Sequence, residues 1–279
     1  MRKVHSGLSG RRPVLLCLPH AGGSATAYAH WSRALPGADV VAVELPGRGE
    51  RLRERPLDSM DALVTDLAGR VLPHAGGQFA LFGHSMGALV AFELAHHLRR
   101  RYGLRPARLL VSGCAAPESP HRAAGPPRHR LPDGELWEEV RKLNGTADAV
   151  CDHEEIRRLC TAAIRADFAL VENYRFEPRL PLDCPISVFG GIDDPEVEFA
   201  ELAEWSAYTR SGHTVSTFPG DHFYLHRHPR TFLHVLSLKL ATGRDIQNAD
   251  REGGPPGGVR HRSRGQAGGL PERSVQQSA

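Results

Sequence analysis

The chain has 279 residues, 41% of them hydrophobic and 24% charged, with a formal net charge of +3 at pH 7. That length and apolar share suit a globular domain with a well-buried core. Six Arg face four Asp or Glu from Gly243 onward, so two of the three net positive charges lie in the tail; the rest is near neutral and has no concentrated basic face for nucleic acid.

At the N-terminus the basic MRK is followed by polar residues, and the first apolar run, Val14 to Leu18, is too short for a signal-peptide core or a membrane span. A cytoplasmic protein that does not engage the membrane is expected. The five cysteines, Cys17, Cys114, Cys151, Cys160 and Cys184, are odd in number and contain no CxxC, which fits reduced, mostly buried thiols. The pairs and triplets of arginine at 11–12 and 99–101 read as solvated ends of elements.

The first apolar run leads into PHAGGSA, residues 19 to 25, and the second, Asp39 to Val43, into LPGRG. Asp58 or Ser59 can cap a helix through Leu72. Gln78 to Phe82 has the pattern of a buried strand and meets GHSMG, after which Leu89, Phe92, Leu94, Ala95 and Leu98 fall at helical spacing. Arg108 to Ser112 is a fourth strand. The alternation then breaks, and 117–182 carries no strand signal. This insertion opens with the Pro-rich ESPHRAAGPPRHR. It continues with a helix capped at Asp133, bearing Leu136, Trp137, Val140 and Leu143 on one face and ended by Gly145. A second helix runs from about Glu154 to Val171, with Ile156, Leu159, Ala163, Ile164, Phe168 and Val171 expected inward. Beyond it come strands at Ile186 to Gly190 and Thr214 to Phe218, a helix from Val197 to Tyr208, and a last helix that Pro229 opens and that runs to Leu240. Strands alternating with helices predict a mainly parallel sheet covered on both faces. From 243 to 279 the chain is rich in Gly, Pro and Arg and nearly free of large apolar residues, so a disordered tail is expected.

The chemistry concentrates in three loops. Ser85 stands between Gly83 and Gly87 where a strand turns directly into a helix, which exposes its hydroxyl at the positive end of the helix dipole and marks it as a nucleophile. A serine nucleophile needs a base, and the base needs an orienting acid, placed in parallel-sheet hydrolases in the chain order serine, acid, histidine. His222, in the loop after the last strand, is the base. Of the acids after ISVFGG, glycine spacing does not separate Asp193 from Asp194; Asp194 is chosen, and Asp221 is disfavoured because adjacent side chains on an extended turn diverge. The backbone N–H groups of Met86 and of Ala21 in PHAGGSA are the expected oxyanion donors. A metal at His222, His226 and His228 is not expected: no HExxH glutamate accompanies them and Pro229 interrupts the run. Arg48 of LPGRG is expected to shape its loop rather than bind phosphate.

Together, LLCLPHAGGSATAYAHW, VELPGRGERL, FGHSMGALVAFELA and the pair FGGIDDP with GDHFYL resemble the free-standing type II thioesterases of polyketide and non-ribosomal peptide synthesis, within the α/β-hydrolase superfamily. The resemblance covers about Val14 to Leu240. It implies an α/β-hydrolase fold over 1–242, a helical lid formed by 117–182 and carrying IRADF, and Asp194 as the acid, by alignment of GGIDD with the family's aspartate loop. Asn144 stands where the family usually has a second glycine. The implied activity is hydrolysis of stalled or mis-loaded acyl groups from the phosphopantetheine thiol of acyl or peptidyl carrier proteins. No metal or dissociable cofactor is implied, since phosphopantetheine arrives with the substrate. The alternatives are a small-molecule carboxylesterase on the same fold, a product-releasing or cyclising thioesterase, and a binding protein that has lost the chemistry. With no carrier domain ahead of Met1, action in trans is expected, by a monomer.

Overall fold

Six apolar runs become six strands: β1 (Val14–Leu18), β2 (Asp39–Ala42), β3 (Phe79–His84), β4 (Arg108–Ser112), β5 (Ile186–Gly191) and β6 (His213–Phe218). The structure, a computed structural model, describes residues 12–119, 126–143, 145 and 152–252, with side chains through residue 241. All pairings are parallel and the order is β2-β1-β3-β4-β5-β6. Every residue of β3, β4 and β5 is buried, as expected of parallel strands covered on both faces, whereas β2 and β6 at the edges are only partly buried.

Side-chain alternation divides the strands between two cores. Leu16, Leu18, Leu81, Leu109 and Val111 pack toward α1 (Met60–Val71) and α2 (Met86–Tyr102). Leu15, Cys17, Ala80, Phe82 and Leu110 face the other way, onto Trp31 and the last helix. The arginines at the end of α2 sit in its last turn, and Gly103 closes it at φ 66° with its N–H on the Arg99 carbonyl, so cations and a left-handed glycine end the helix together.

The insertion between β4 and β5 contributes α3 (Asp133–Lys142) and α4 (Glu154–Glu172), with a small core of its own made by Leu136, Trp137, Val140, Ile164 and Phe168. Leu159 departs from the expected inward face and is 59% exposed. It lies nine residues before Phe168, about half a turn around the helix from that side chain, so α3 does not cover it. Asn144, Cys151 and residues 120–125 of the Pro-rich linker lie outside the described residues.

The remaining helices are α5 (Phe199–Ala203), continued by a 3₁₀ turn over Glu204–Tyr208, and α6 (Pro229–Glu252). Two of the differences from the expected boundaries have a plain physical cause. β3 runs on to His84 because the ladder with β4 continues through Gly83 and His84, beyond the apolar stretch. α6 passes both Leu240 and the expected domain edge at 242: no proline intervenes before Pro255, and a helix satisfies its backbone without an apolar face. The tail beyond Glu252 is outside the described residues. Among the described residues no helix is long and apolar enough to cross a membrane.

Candidate active site

Ser85 is the single non-glycine residue with positive φ among the described residues, at φ 54° and ψ −121°. Its N–H donates to the Ser112 carbonyl at 2.8 Å, and its own carbonyl accepts from Ala88 at 3.0 Å, so the elbow is fixed by β4 on one side and by α2 on the other. Both flanking glycines are required by close approach. A Cβ on Gly83 would overlap the Gly87 carbonyl, and one on Gly87 would overlap the Leu18 carbonyl and lie 2.6 Å from that of Pro19. The first turn of α2 is thereby seated against the loop after β1, and Met86, Ala21 and Ser85 line one cavity. A non-glycine residue persists in so sparsely populated a conformation only when the surroundings over-determine it, and such residues cluster at functional sites.

His222 lines the same cavity and is 5% exposed. Its Nδ1 faces both carboxylate oxygens of Asp194, at 2.9 and 3.1 Å, and the Asp194 side chain is 1% exposed. The Glu196 N–H donates to Asp194 Oδ1 at 2.9 Å and fixes the carboxylate further. Neither neighbouring acid competes. Asp193 is exposed, and Asp221 accepts from the Phe223 N–H and from Arg227 instead. Among the described residues no three or more His, Cys, Asp or Glu are grouped to hold a metal.

The cavity measures about 900 Å³. On the insertion's side the lining mixes Leu131, Leu143, Phe168 and Val171 with charged side chains such as Arg128, Glu139 and Lys142, so a group attached to Ser85 would lie between the sheet's carboxyl edge and the inserted helices. Behind His222, the rings of His84 and Phe223 pack with centroids 5.0 and 5.2 Å away. His84 Nδ1 meets Ser112 Oγ at 2.9 Å, which meets the Tyr224 hydroxyl at 2.6 Å. Burial pushes His84 well below the ordinary histidine range, with the charge of His222 acting in the same direction, so His84 packs there as a neutral ring.

Sequence reasoning missed the role of Asp167 in IRADF. Its carboxylate takes a bidentate pair from Arg48, at 2.6 and 2.7 Å, and accepts the Gly22 N–H at 2.8 Å; the Arg48 guanidinium also donates to the Gly23 carbonyl at 3.1 Å. Arg48 thus shapes the loops, as expected, and does so by joining PHAGG, LPGRG and α4. Burial alone would lower the Arg48 pKa, but Asp167 outweighs it and the net shift is upward. Asp167→Ala leaves a buried guanidinium unpaired and is expected to cost about 3–5 kcal/mol in denaturant unfolding, whereas Arg48→Met with Asp167→Leu recovers most of it. A loss below about 1 kcal/mol would show the pair to be dispensable.

A thioesterase-domain family model matches residues 13–239. The linear gramicidin dehydrogenase LgrE of Brevibacillus parabrevis is 37% identical over 231 residues, covering 81% of this chain and 87% of that protein. The thioesterase PikA5 of Streptomyces venezuelae is 38% identical over 238 residues, covering 84% and 83%. The solved type II thioesterase BorB, from the borrelidin biosynthetic cluster, matches with a TM-score of 0.76 and 42% identity over 86% of this chain and 95% of that one. The parallel sheet with flanking helices is thus the α/β-hydrolase-type fold of solved thioesterases.

Proposed function

The chain belongs to the thioesterase-domain family, and from that premise we propose that Ser85, His222 and Asp194 carry the hydrolysis of stalled or mis-loaded acyl groups from the phosphopantetheine thiol of carrier proteins in polyketide or non-ribosomal peptide synthesis. The observation that carries the assignment is the Asp194-bound His222 lining the same cavity as the strained Ser85.

Asp194 holds Nδ1 of His222 in its protonated tautomer, which leaves Nε2 as the base. Ser85 Oγ attacks the thioester carbonyl as His222 takes its proton. The N–H groups of Met86 and Ala21, with the N-terminus of α2 behind them, hold the negative oxygen of the tetrahedral intermediate. Its collapse breaks the C–S bond, and His222 returns the proton to the leaving thiol. Water then gives its proton to His222 and attacks the acyl-enzyme, and as the second tetrahedral intermediate collapses His222 hands that proton to Ser85 Oγ, releasing the carboxylic acid and free Ser85. The scheme uses no dissociable cofactor, because phosphopantetheine enters and leaves as part of the carrier. The inserted helices act as a lid over the acyl group.

The name of the Brevibacillus relative raises a dehydrogenase as a second reading. The loop after β1 here reads PHAGGSA, without the GxGxxG that lets a dinucleotide pyrophosphate approach a helix N-terminus, and the serine elbow has no part in hydride transfer. Hydrolysis is therefore retained. Acyl-carrier thioesters are expected to be cleaved with kcat/KM well above that for matched oxygen esters, measured by free-thiol and free-acid release. The reverse ratio would turn the reading toward a carboxylesterase.

A further inference from the structure

His20 lines the catalytic cavity beside Ser85 and Met86 and directly precedes Ala21 in the chain. It is 8% exposed. Its imidazole packs edge-on against Phe223 at 4.9 Å and against His84 at 6.0 Å. It also lies over Gly23, where a Cβ would stand 2.9 to 3.0 Å from three ring atoms, so the glycine supplies the room for the ring. The ring is therefore fixed by packing on several sides. Neither nitrogen makes a hydrogen bond to a described residue.

His84 provides the contrast, since its Nδ1 is spent on Ser112 and it is not part of the cavity wall. Burial brings the His20 pKa down to about 3, with the charges of His226, His222 and Arg48 acting in the same direction. The ring in the cavity wall is then neutral and offers one donor and one acceptor. Buried polar groups are rarely left unmatched, and this one lines the cavity that Ser85 also lines. The carbonyl oxygen of the thioester already has two backbone donors. What remains within reach of a residue adjoining one of those donors is a polar substituent on the first carbons of the acyl chain.

We propose that His20 is a specificity residue, whose imidazole hydrogen-bonds an oxygen substituent at the β-carbon of the acyl group and so favours oxygenated chains over saturated ones. This rests on the reading of Ser85 as the nucleophile. A site built to pair a substrate hydroxyl discriminates against the analogue that lacks it, because its own polar group is then stranded.

The test uses N-acetylcysteamine thioesters of 3-hydroxybutanoic and 3-methylbutanoic acid, in which hydroxyl and methyl are isosteric. The unaltered chain is expected to favour the hydroxylated thioester in kcat/KM by about five- to tenfold, the worth of one neutral hydrogen bond. His20→Phe keeps a ring against Phe223 and is expected to bring the ratio near one, while His20→Asn, which retains hydrogen-bonding capacity, keeps part of the preference. Fluorophosphonate labelling of Ser85 in each variant reports that the site is folded. Equal rates on the two thioesters in the unaltered chain overturn the proposal, as does a His20→Phe variant that lowers both rates by the same factor. Failure of the unaltered chain to cleave either thioester would strike the reading of the reaction itself.

Discussion

Ser85→Ala is expected to lower kcat by about 10⁶ and to abolish covalent labelling by a fluorophosphonate, the scale on which serine hydrolases depend on their nucleophile. Residual turnover would come from binding and the backbone donors alone. Stability should respond differently. At φ 54° and ψ −121° any side chain with a Cβ is strained, so Ser85→Ala keeps the strain while Ser85→Gly releases it. The glycine variant is expected to unfold at higher denaturant than the alanine variant, by about 1 kcal/mol after allowance for glycine's greater freedom in the unfolded chain. Both should be equally inactive. An alanine variant as stable as the glycine one would show that the elbow stores no strain. A Ser85→Ala chain that still turns over thioester at the original rate would remove Ser85 from the mechanism.

The elbow was legible in the sequence because every requirement on it is local. Two glycines, an apolar strand before them and an apolar-striped helix after them occupy one short window, and the clashes at Gly83 and Gly87 account for each glycine. The loops that bring Asp194 to His222 were legible for a related reason, since strands announce their own ends and the loops that follow are short. Asp167 was not legible. It lies 119 residues from Arg48, and nothing around either residue shows that the two meet beneath the PHAGG loop. Leu159 failed for another reason: an apolar residue at an approximate helical interval was counted inward, although nine residues carry the helix to the opposite face from Phe168. α6 outruns its expected end at Leu240 because backbone hydrogen bonding does not need an apolar face. The network of His84, Ser112 and Tyr224 joins three elements through side chains that each look ordinary in isolation.

Asp193 and Asp194 give the sharpest comparison the site permits, because chemistry and sequence context are nearly shared and only geometry differs. Asp194→Asn is expected to lower kcat by about 10⁴, since an amide in place of the carboxylate no longer fixes the Nδ1 proton or stabilises the imidazolium that forms as Ser85 attacks. The fold should survive, because the amide oxygen can still accept the Glu196 N–H that now reaches Asp194 Oδ1. Asp193→Asn alters an exposed side chain and is expected to change kcat by less than about twofold. Labelling of Ser85 by a fluorophosphonate should slow in the Asp194 variant and not in the Asp193 variant, because acylation by the reagent draws on the same base as the thioester reaction. Comparable losses in the two variants would place the orienting acid elsewhere, and the pairing of Asp194 with His222 would then be structural. If Asp194→Asn lost activity only together with a collapse in stability, the carboxylate would be holding the loop after β5 rather than the imidazole. The expected result separates these cases: unfolding midpoints close to that of the unaltered chain in both variants, with catalysis lost in one.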